Sequence, residues 1–182
     1  MRSRPSAIAA LLVIAACSHS MSAGSDPDAS LNLPPGTVVA SLRDSNGTNL
    51  GTLTIAETGT GLATTGTLRG LTPGVHGIHL HTVGRCEPPF ETAGGHWNPL
   101  VRQHGFENPN GPHGGDMQNI TVSSDGRAMV NVTTPMGTRR GANGLLDTDG
   151  ASVVVHAAPD DYKTDPSGNS GARVACGVVR VL

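Results

Sequence analysis

The chain has 182 residues and a formal net charge of -2, so it lacks the positive excess expected of a nucleic-acid surface. Gly numbers 25 and Pro 13, charged residues make up 14%, and aromatic residues only 2%. This composition is typical of short strands joined by turns around a core of Val, Leu, Ile and Ala. The length fits one domain with a leader, and no nucleic-acid partner is expected.

The first 17 residues have the pattern of an export signal. Arg2 and Arg4 precede an apolar run at 7–16, which is too short to span a bilayer as a helix. Cys17 ends the segment Ile-Ala-Ala-Cys, which resembles the lipobox of bacterial lipoproteins. We therefore expect a lipid on Cys17, export to the periplasm or cell envelope, and membrane contact only through that anchor. The alternative is an ordinary signal peptide cleaved nearby.

A flexible tether and three strands are predicted next. Residues 18–36 are rich in Ser, Asp, Ala and Pro, which is typical of a linker, and the folded domain is expected at 37–182. A strand is predicted at 37–42, and alternation of apolar with small or polar residues predicts strands at 50–55 and 62–68. The Asp-Ser-Asn-Gly segment at 44–47 predicts a turn between the first two.

The rest of the domain is predicted to contain five more strands and two long loops. Strands are expected at 76–83, 120–122, 128–132, 151–157 and 172–181. Residues 84–118, with seven Gly and five Pro, and residues 158–171 show no periodicity, and loops this long are usually functional. No stretch of the domain has helical periodicity. The prediction is an all-β antiparallel sandwich or barrel.

Histidines are concentrated in this domain. His79 and His81 are two apart on a strand and therefore share a face, as a metal chelate requires. His76 lies three residues before His79 and is expected on the opposite face, in a structural role. His156 stands in the apolar strand at 151–157, where a single histidine is usually a hydrogen-bonded core residue.

The first long loop carries three more histidines and an aspartate. They follow one another at intervals of eight, nine and three residues: His96, His104, His113 and Asp116. Three imidazoles and a carboxylate form a suitable tetrahedral zinc site. Intervening Gly and Pro residues allow the loop to fold back on itself.

Two cysteines remain if Cys17 carries lipid. An exported chain meets an oxidising compartment, so Cys86 and Cys176 are expected to form a disulfide. The alternative is two buried thiols.

Several segments together resemble the copper/zinc superoxide dismutase family. Gly-Val-His-Gly-Ile-His-Leu-His at 74–81 resembles its copper-binding signature, and Gly-Gly-His-Trp-Asn-Pro at 94–99 the segment with its bridging histidine. Residues 104–105 and 111–116 resemble its zinc-ligand segments, and Gly-Asn-Ser-Gly-Ala-Arg-Val-Ala-Cys-Gly-Val at 168–178 its C-terminal signature. The resemblance covers residues 37–182 and implies a Greek-key all-β fold with two functional loops.

The resemblance implies a role for each matching residue. Copper would be held by His79, His81, His96 and His156. Zinc would be held by His96, His104, His113 and Asp116, so that His96 bridges the two metals. Asp160 would accept hydrogen bonds from one copper and one zinc histidine, and Arg173 would guide an anion to copper.

The implied reaction converts superoxide to dioxygen and hydrogen peroxide, by alternate reduction and oxidation of the histidine-bound copper beside a structural zinc. The alternative is a copper-binding or metal-delivery protein with a dismutase-like fold. Degenerate members of that kind would be expected to lack Arg173 or a ligand, and this chain has all of them. A homodimer is compatible with the family, but its dimer contacts vary, so the sequence leaves the oligomeric state open.

Overall fold

A computed structural model describes residues 33–141 and 144–182, so the predicted signal segment, Cys17 and most of the predicted tether lie outside the described residues. Within these two ranges, nine strands form two antiparallel sheets. The strands are β1 (Val38–Asp44), β2 (Asn49–Glu57), β3 (Leu62–Leu68), β4 (Gly74–His76), β5 (Ile78–His81), β6 (Ile120–Val122), β7 (Ala128–Thr133), β8 (Ser152–His156) and β9 (Arg173–Val181).

The larger sheet has seven strands in the order β5-β8-β9-β1-β2-β3-β7, and it curls into a half-barrel. The smaller sheet pairs β4 with β6. β1 lies at the centre of the larger sheet, between β2 and β9, although β9 is the last strand of the chain. This long-range pairing brings the C-terminal strand next to the N-terminal one, and the prediction of an all-β antiparallel fold is confirmed.

The core is aliphatic, as the composition predicted. Leu42, Leu53 and Leu68 from the first three strands pack with Ile78 and Val153, and all five are fully buried. On β7 buried and exposed residues alternate strictly, as expected of a strand with one face on the core and one in solvent. On β8 all five residues are buried, so its two faces are both covered.

The predicted single strand at 76–83 is wrong, because the chain changes sheets at Gly77. β4 pairs with β6 in the smaller sheet, whereas β5 pairs with β8 in the larger one. The Gly77 N–H donates to the carbonyl of Ala158, and its own carbonyl accepts from the His156 N–H at 2.9 Å each. A Cβ at Gly77 would lie 3.1 Å from the Ser170 Cβ, so glycine permits this close approach.

Two long segments between strands carry six of the 13 buried polar or charged residues of the described part of the chain. One joins β5 to β6 and the other joins β8 to β9. Within the described ranges, the helical content is a single three-residue 3-10 turn (Glu91–Ala93), and no helix has the length and hydropathy required to cross a membrane.

Candidate metal centre

Four imidazoles meet where β5, β8 and the first long loop come together: His79, His81, His96 and His156. His79 and His81 alternate with Leu80 on β5 and therefore lie on one face. β8 runs antiparallel beside β5 and ends at His156. One ring nitrogen of each histidine lies within 4.8 Å of those of the other three, and all four side chains are buried.

Each of these imidazoles has one buried nitrogen with no hydrogen-bond partner among the described residues. The atoms are Nδ1 of His79 and Nε2 of His81, His96 and His156. The remaining nitrogens of His81 and His156 lie 3.0 and 3.3 Å from the carbonyl oxygens of Gly94 and Gly171. Buried polar atoms are rarely left unpaired, and a neutral imidazole that donates through one nitrogen offers a lone pair on the other. Four converging nitrogen lone pairs fit Cu(II).

A second group is centred on the Asp116 carboxylate. Its Oδ1 lies 2.9 Å from Nδ1 of His96, 3.0 Å from Nδ1 of His104 and 3.3 Å from Nδ1 of His113. Its Oδ2 accepts the backbone N–H groups of Gly105 and His113 at 2.9 Å each. Three imidazole nitrogens and one carboxylate oxygen, all on buried side chains, match the ligand set of a four-coordinate zinc.

His96 belongs to both groups, through different atoms. Its Nδ1 faces Asp116, and its Nε2 belongs to the first group. The ring lies between those of the two groups, with centroids 4.0 Å from His79 and 5.0 Å from His104. Once this ring has lost its N–H proton, it could therefore offer one nitrogen to each group.

The first long loop is held against β5 by backbone pairing at Leu80. The Leu80 carbonyl accepts from the Trp97 N–H at 2.8 Å, and the Leu80 N–H donates to the Gly115 carbonyl at 3.0 Å. The buried Trp97 ring packs against Gly114 and Gly137, where a Cβ would collide with it. This pairing places His96 and Asp116 beside the two histidines of β5.

Asp160 connects the two groups from the second long loop. Its Oδ2 lies 2.9 Å from Nε2 of His79, and its Oδ1 lies 2.9 Å from Nε2 of His104. Because a carboxylate accepts from these nitrogens, the opposite nitrogen of each ring, when the ring is neutral, is left as the lone-pair donor. Asn119 holds the Asp160 backbone by a pair of hydrogen bonds, from the Asp160 N–H to its Oδ1 and from its Nδ2 to the Asp160 carbonyl.

Burial lowers the pKa of several of these imidazoles, whereas hydrogen bonds to carboxylates raise the pKa of another. Burial lowers the pKa of His79 and of His156 to about 4 and that of His96 to about 3. Burial would also lower the pKa of His104, but its hydrogen bonds to Asp116 and Asp160 raise it to about 9. The imidazoles of His79, His96 and His156 are thus neutral and available as ligands at neutral pH.

Both carboxylates stay ionised for a related reason. Burial alone would raise the pKa of Asp116, yet hydrogen bonds from His104, His113 and His96 hold it well below its usual range. Hydrogen bonds from His104 and His79 likewise outweigh burial and lower the pKa of Asp160. The centre therefore keeps two fixed negative charges among its imidazoles.

Arg173 lies at the edge of a cleft of about 440 Å³ that opens beside His81, His96 and His156. Its Nη1 donates to the Phe90 carbonyl and its Nη2 to the Gly94 carbonyl, both at 2.7 Å. Phe90 has a left-handed backbone, with φ of 76°. The guanidinium is thus held at the cleft by backbone carbonyls, with further N–H donors available to an anion.

The predicted disulfide is confirmed. Cys86 and Cys176 are bonded, with Cα atoms 5.6 Å apart, and join the first long loop to β9. Phe90 and Gly94 follow Cys86 closely along the chain, and Arg173 precedes Cys176 by three residues. The bond therefore ties the carbonyls that hold Arg173 to the strand on which Arg173 lies.

His76 has the structural role predicted for it. Its Nδ1 lies 2.7 Å from the His156 carbonyl oxygen and its Nε2 lies 2.8 Å from the Thr72 carbonyl oxygen. Both nitrogens are thus occupied by the backbone, and His76 belongs to none of the potential metal groups of the described residues.

Sequence reasoning missed several residues that support the centre. Asn119 was assigned no role, because an amide in a loop has no distinguishing spacing. Oδ1 of Asp165 accepts the backbone N–H of His104 at 2.6 Å and lies 3.8 Å from Nε2 of His113. The Phe90 and Gly94 carbonyls are backbone groups, so no residue type could have indicated them. Lys163, a cation of the second long loop, is not among these supporting residues, because it pairs with Glu107 at 2.8 Å on the exposed surface.

Comparison with known proteins agrees with this geometry. The family model described as copper/zinc superoxide dismutase matches residues 49–179. "Superoxide dismutase [Cu-Zn] 2" of Aquifex aeolicus is 42% identical over 78% of this chain and 85% of its own length. "Superoxide dismutase [Cu-Zn]" of Caulobacter vibrioides is 42% identical over 79% of this chain and 86% of its own length.

A solved structure is also similar. The crystal structure of a superoxide dismutase-like protein from Bacillus subtilis superposes with a TM-score of 0.73 at 39% identity, covering 77% of this chain and 96% of that one. The family model covers well over half of the chain, in the region that carries both histidine groups. The chain belongs to the copper/zinc superoxide dismutase family.

Proposed function

We propose that this protein is a superoxide dismutase, which converts two superoxide anions and two protons to dioxygen and hydrogen peroxide. The observation that supports this most directly is the convergence of four unpaired imidazole nitrogens next to a three-histidine, one-aspartate group. Copper and zinc are the metals of the family, and the donor sets fit them.

The protein residues have separate tasks at the two sites. Copper would be held by His79, His81, His96 and His156, and zinc by His96, His104, His113 and Asp116. Bound copper would supply the one-electron chemistry, whereas zinc has no redox chemistry. Asp160 fixes the tautomers of His79 and His104, so that each presents a lone pair to its metal.

His96 and Arg173 are the residues that we propose handle the substrate. His96 lines the cleft, and its Nε2 can hold a proton there while its Nδ1 stays on the Asp116 side. Arg173 also lines the cleft, and its permanently charged guanidinium binds a small anion through the donors that Phe90 and Gly94 leave unused.

The test is superoxide removal by the full chain loaded with copper and zinc, with metal content measured on the same sample. We expect rapid removal by the loaded protein and none by the metal-free protein. One copper and one zinc per chain without superoxide removal would contradict the proposal. That result would favour the alternative of a metal-binding or metal-delivery protein; the Bacillus subtilis relative is itself named superoxide dismutase-like.

We also propose that residues 1–17 direct export to the periplasm or cell envelope and that Cys17 carries a lipid anchor. The support is the charged and apolar pattern of residues 2–16 followed directly by cysteine. A Cys17→Ser variant is expected to leave the membrane fraction, and unchanged partitioning would contradict the anchor. A Cys86→Ser variant, which keeps Cys17, is the matched control and should stay with the membrane.

A further inference from the structure

The charge of the cleft is set by a pair of residues. Among the described residues that line the cleft, Arg173 has the one guanidinium and Glu91 the one carboxylate. The others are histidines, glycines, a proline and a serine. The Glu91 Oε2 lies 3.6 Å from Nη2 of Arg173. The cation that faces the cleft therefore has a carboxylate beside it.

The geometry makes this contact adjustable. The Glu91 side chain is 71% exposed, whereas that of Arg173 is 16% exposed. Arg173 is held by the Phe90 and Gly94 carbonyls at 2.7 Å each. Glu91 directly follows Phe90 and is the first residue of the 3-10 turn. Glu91 can thus swing into solvent while Arg173 stays in place.

We propose that the Glu91 carboxylate competes with the incoming anion for the Arg173 guanidinium and thereby sets how tightly the cleft binds small anions. An anion that enters the cleft takes the position of the Glu91 carboxylate, so Glu91 weakens binding of any small anion. This inference depends on the proposed role of Arg173 in binding the substrate anion.

The expected size of the effect is modest. Ion pairs with an exposed partner have small free energies, equivalent to roughly two- to fivefold in an equilibrium constant. Salt screens such contacts, since the Debye length falls from about 30 Å at 0.01 M to about 3 Å at 1 M ionic strength. The effect of Glu91 should therefore be largest at low salt.

The test uses azide, a small monovalent anion, titrated into the copper- and zinc-loaded full chain and followed by the optical spectrum of the copper. Glu91→Gln should tighten azide binding roughly two- to fivefold at about 10 mM salt, and Glu91→Lys should tighten it further. The difference should largely vanish at about 1 M salt. Glu87→Gln removes a carboxylate from the same loop, where it pairs with Arg85 at 2.8 Å, and should not change azide binding.

Unchanged or weaker azide binding in both Glu91 variants would overturn the inference. So would tightening of equal size in Glu87→Gln, because it would show only an effect of net charge. Superoxide removal is measured separately on each sample. Tighter azide binding in a protein that does not remove superoxide would sustain the role of Glu91 while refuting the dismutase.

Discussion

Oδ1 of Asp116 lies 2.9 Å from Nδ1 of His96, while Nε2 of the same imidazole is buried without a hydrogen-bond partner among the described residues. The two ends of this ring therefore have different surroundings, one beside a carboxylate and the other among imidazoles. Burial and the neighbouring His79 lower the pKa of His96 to about 3, so the ring is neutral at physiological pH. A neutral imidazole has one lone pair, so His96 could serve both ligand groups only after losing its remaining ring proton to become an imidazolate.

Asp160→Asn is expected to weaken the binding of both metals by roughly 10–100-fold. The asparagine amide offers one acceptor, so it cannot accept from both His79 and His104, and its NH2 group would face an imidazole N–H. Affinities are measured by competition with a chelator. The control is Asp161→Asn, since Asp161 bonds within its own loop to Thr164 and Asn169. Equal losses in both variants would mean that general loop disorder is responsible.

Arg173→Ala is expected to slow superoxide removal by roughly ten- to a hundredfold while both metals stay bound, because a hydrogen bond to a charged group is lost with the anion. Rate and metal content are measured together. Arg127→Ala, on the exposed turn between β6 and β7, removes the same charge and should leave the rate unchanged. Loss of metal from Arg173→Ala would show that its grip on the Phe90 and Gly94 carbonyls matters more than its charge.

The metal-free protein is expected to be most stable near about pH 6.5. As pH falls below the ordinary histidine pKa of 6.5, the histidines of the unfolded chain become protonated. In the folded chain His79, His96 and His156 stay neutral, because their pKa values are about 3 to 4. Stability is therefore lost toward pH 4. The raised pKa of His104 contributes stability below pH 6.5 that is lost as pH rises through about 9.

This profile is measured as the thermal unfolding midpoint of the metal-free chain between pH 4 and pH 10. Metal-loaded protein is the control, since occupied ligands do not titrate over the same range and its midpoint should vary less. A midpoint that rises steadily from pH 7 down to pH 4 would contradict the expectation.

Replacing Cys86 and Cys176 by serine is expected to lower the free energy of unfolding by about 4–5 kcal/mol, because the bond closes a long loop, with its ends 90 residues apart. Urea unfolding of the double variant and of the parent protein, with and without reductant, measures the difference. Anion binding should also weaken, since the loop that holds Arg173 is freed from β9. Full stability and unchanged azide affinity in the double variant would contradict the role of the disulfide in stabilising the domain and in positioning Arg173.

Strand periodicity was sufficient to predict most of the sheet. The predicted strands at 62–68 and 120–122 match β3 and β6, and those at 128–132 and 172–181 differ from β7 and β9 by one residue. The error at Gly77 arose because β4 and β5 are adjacent in sequence with no turn between them. Their assignment to different sheets depends on β6 and β8, which lie far along the chain.

The sequence by itself determined which side chains could act as ligands, because residue type and the two-residue strand period are local properties. It also determined, through motif order, the family to which the chain belongs. Only the tertiary structure decided how these residues meet: Leu80 binds the loop to β5, Asn119 fixes Asp160, and Phe90 and Gly94 hold Arg173. These contacts use backbone groups and residues far apart in the chain, so they leave no periodic pattern in the sequence.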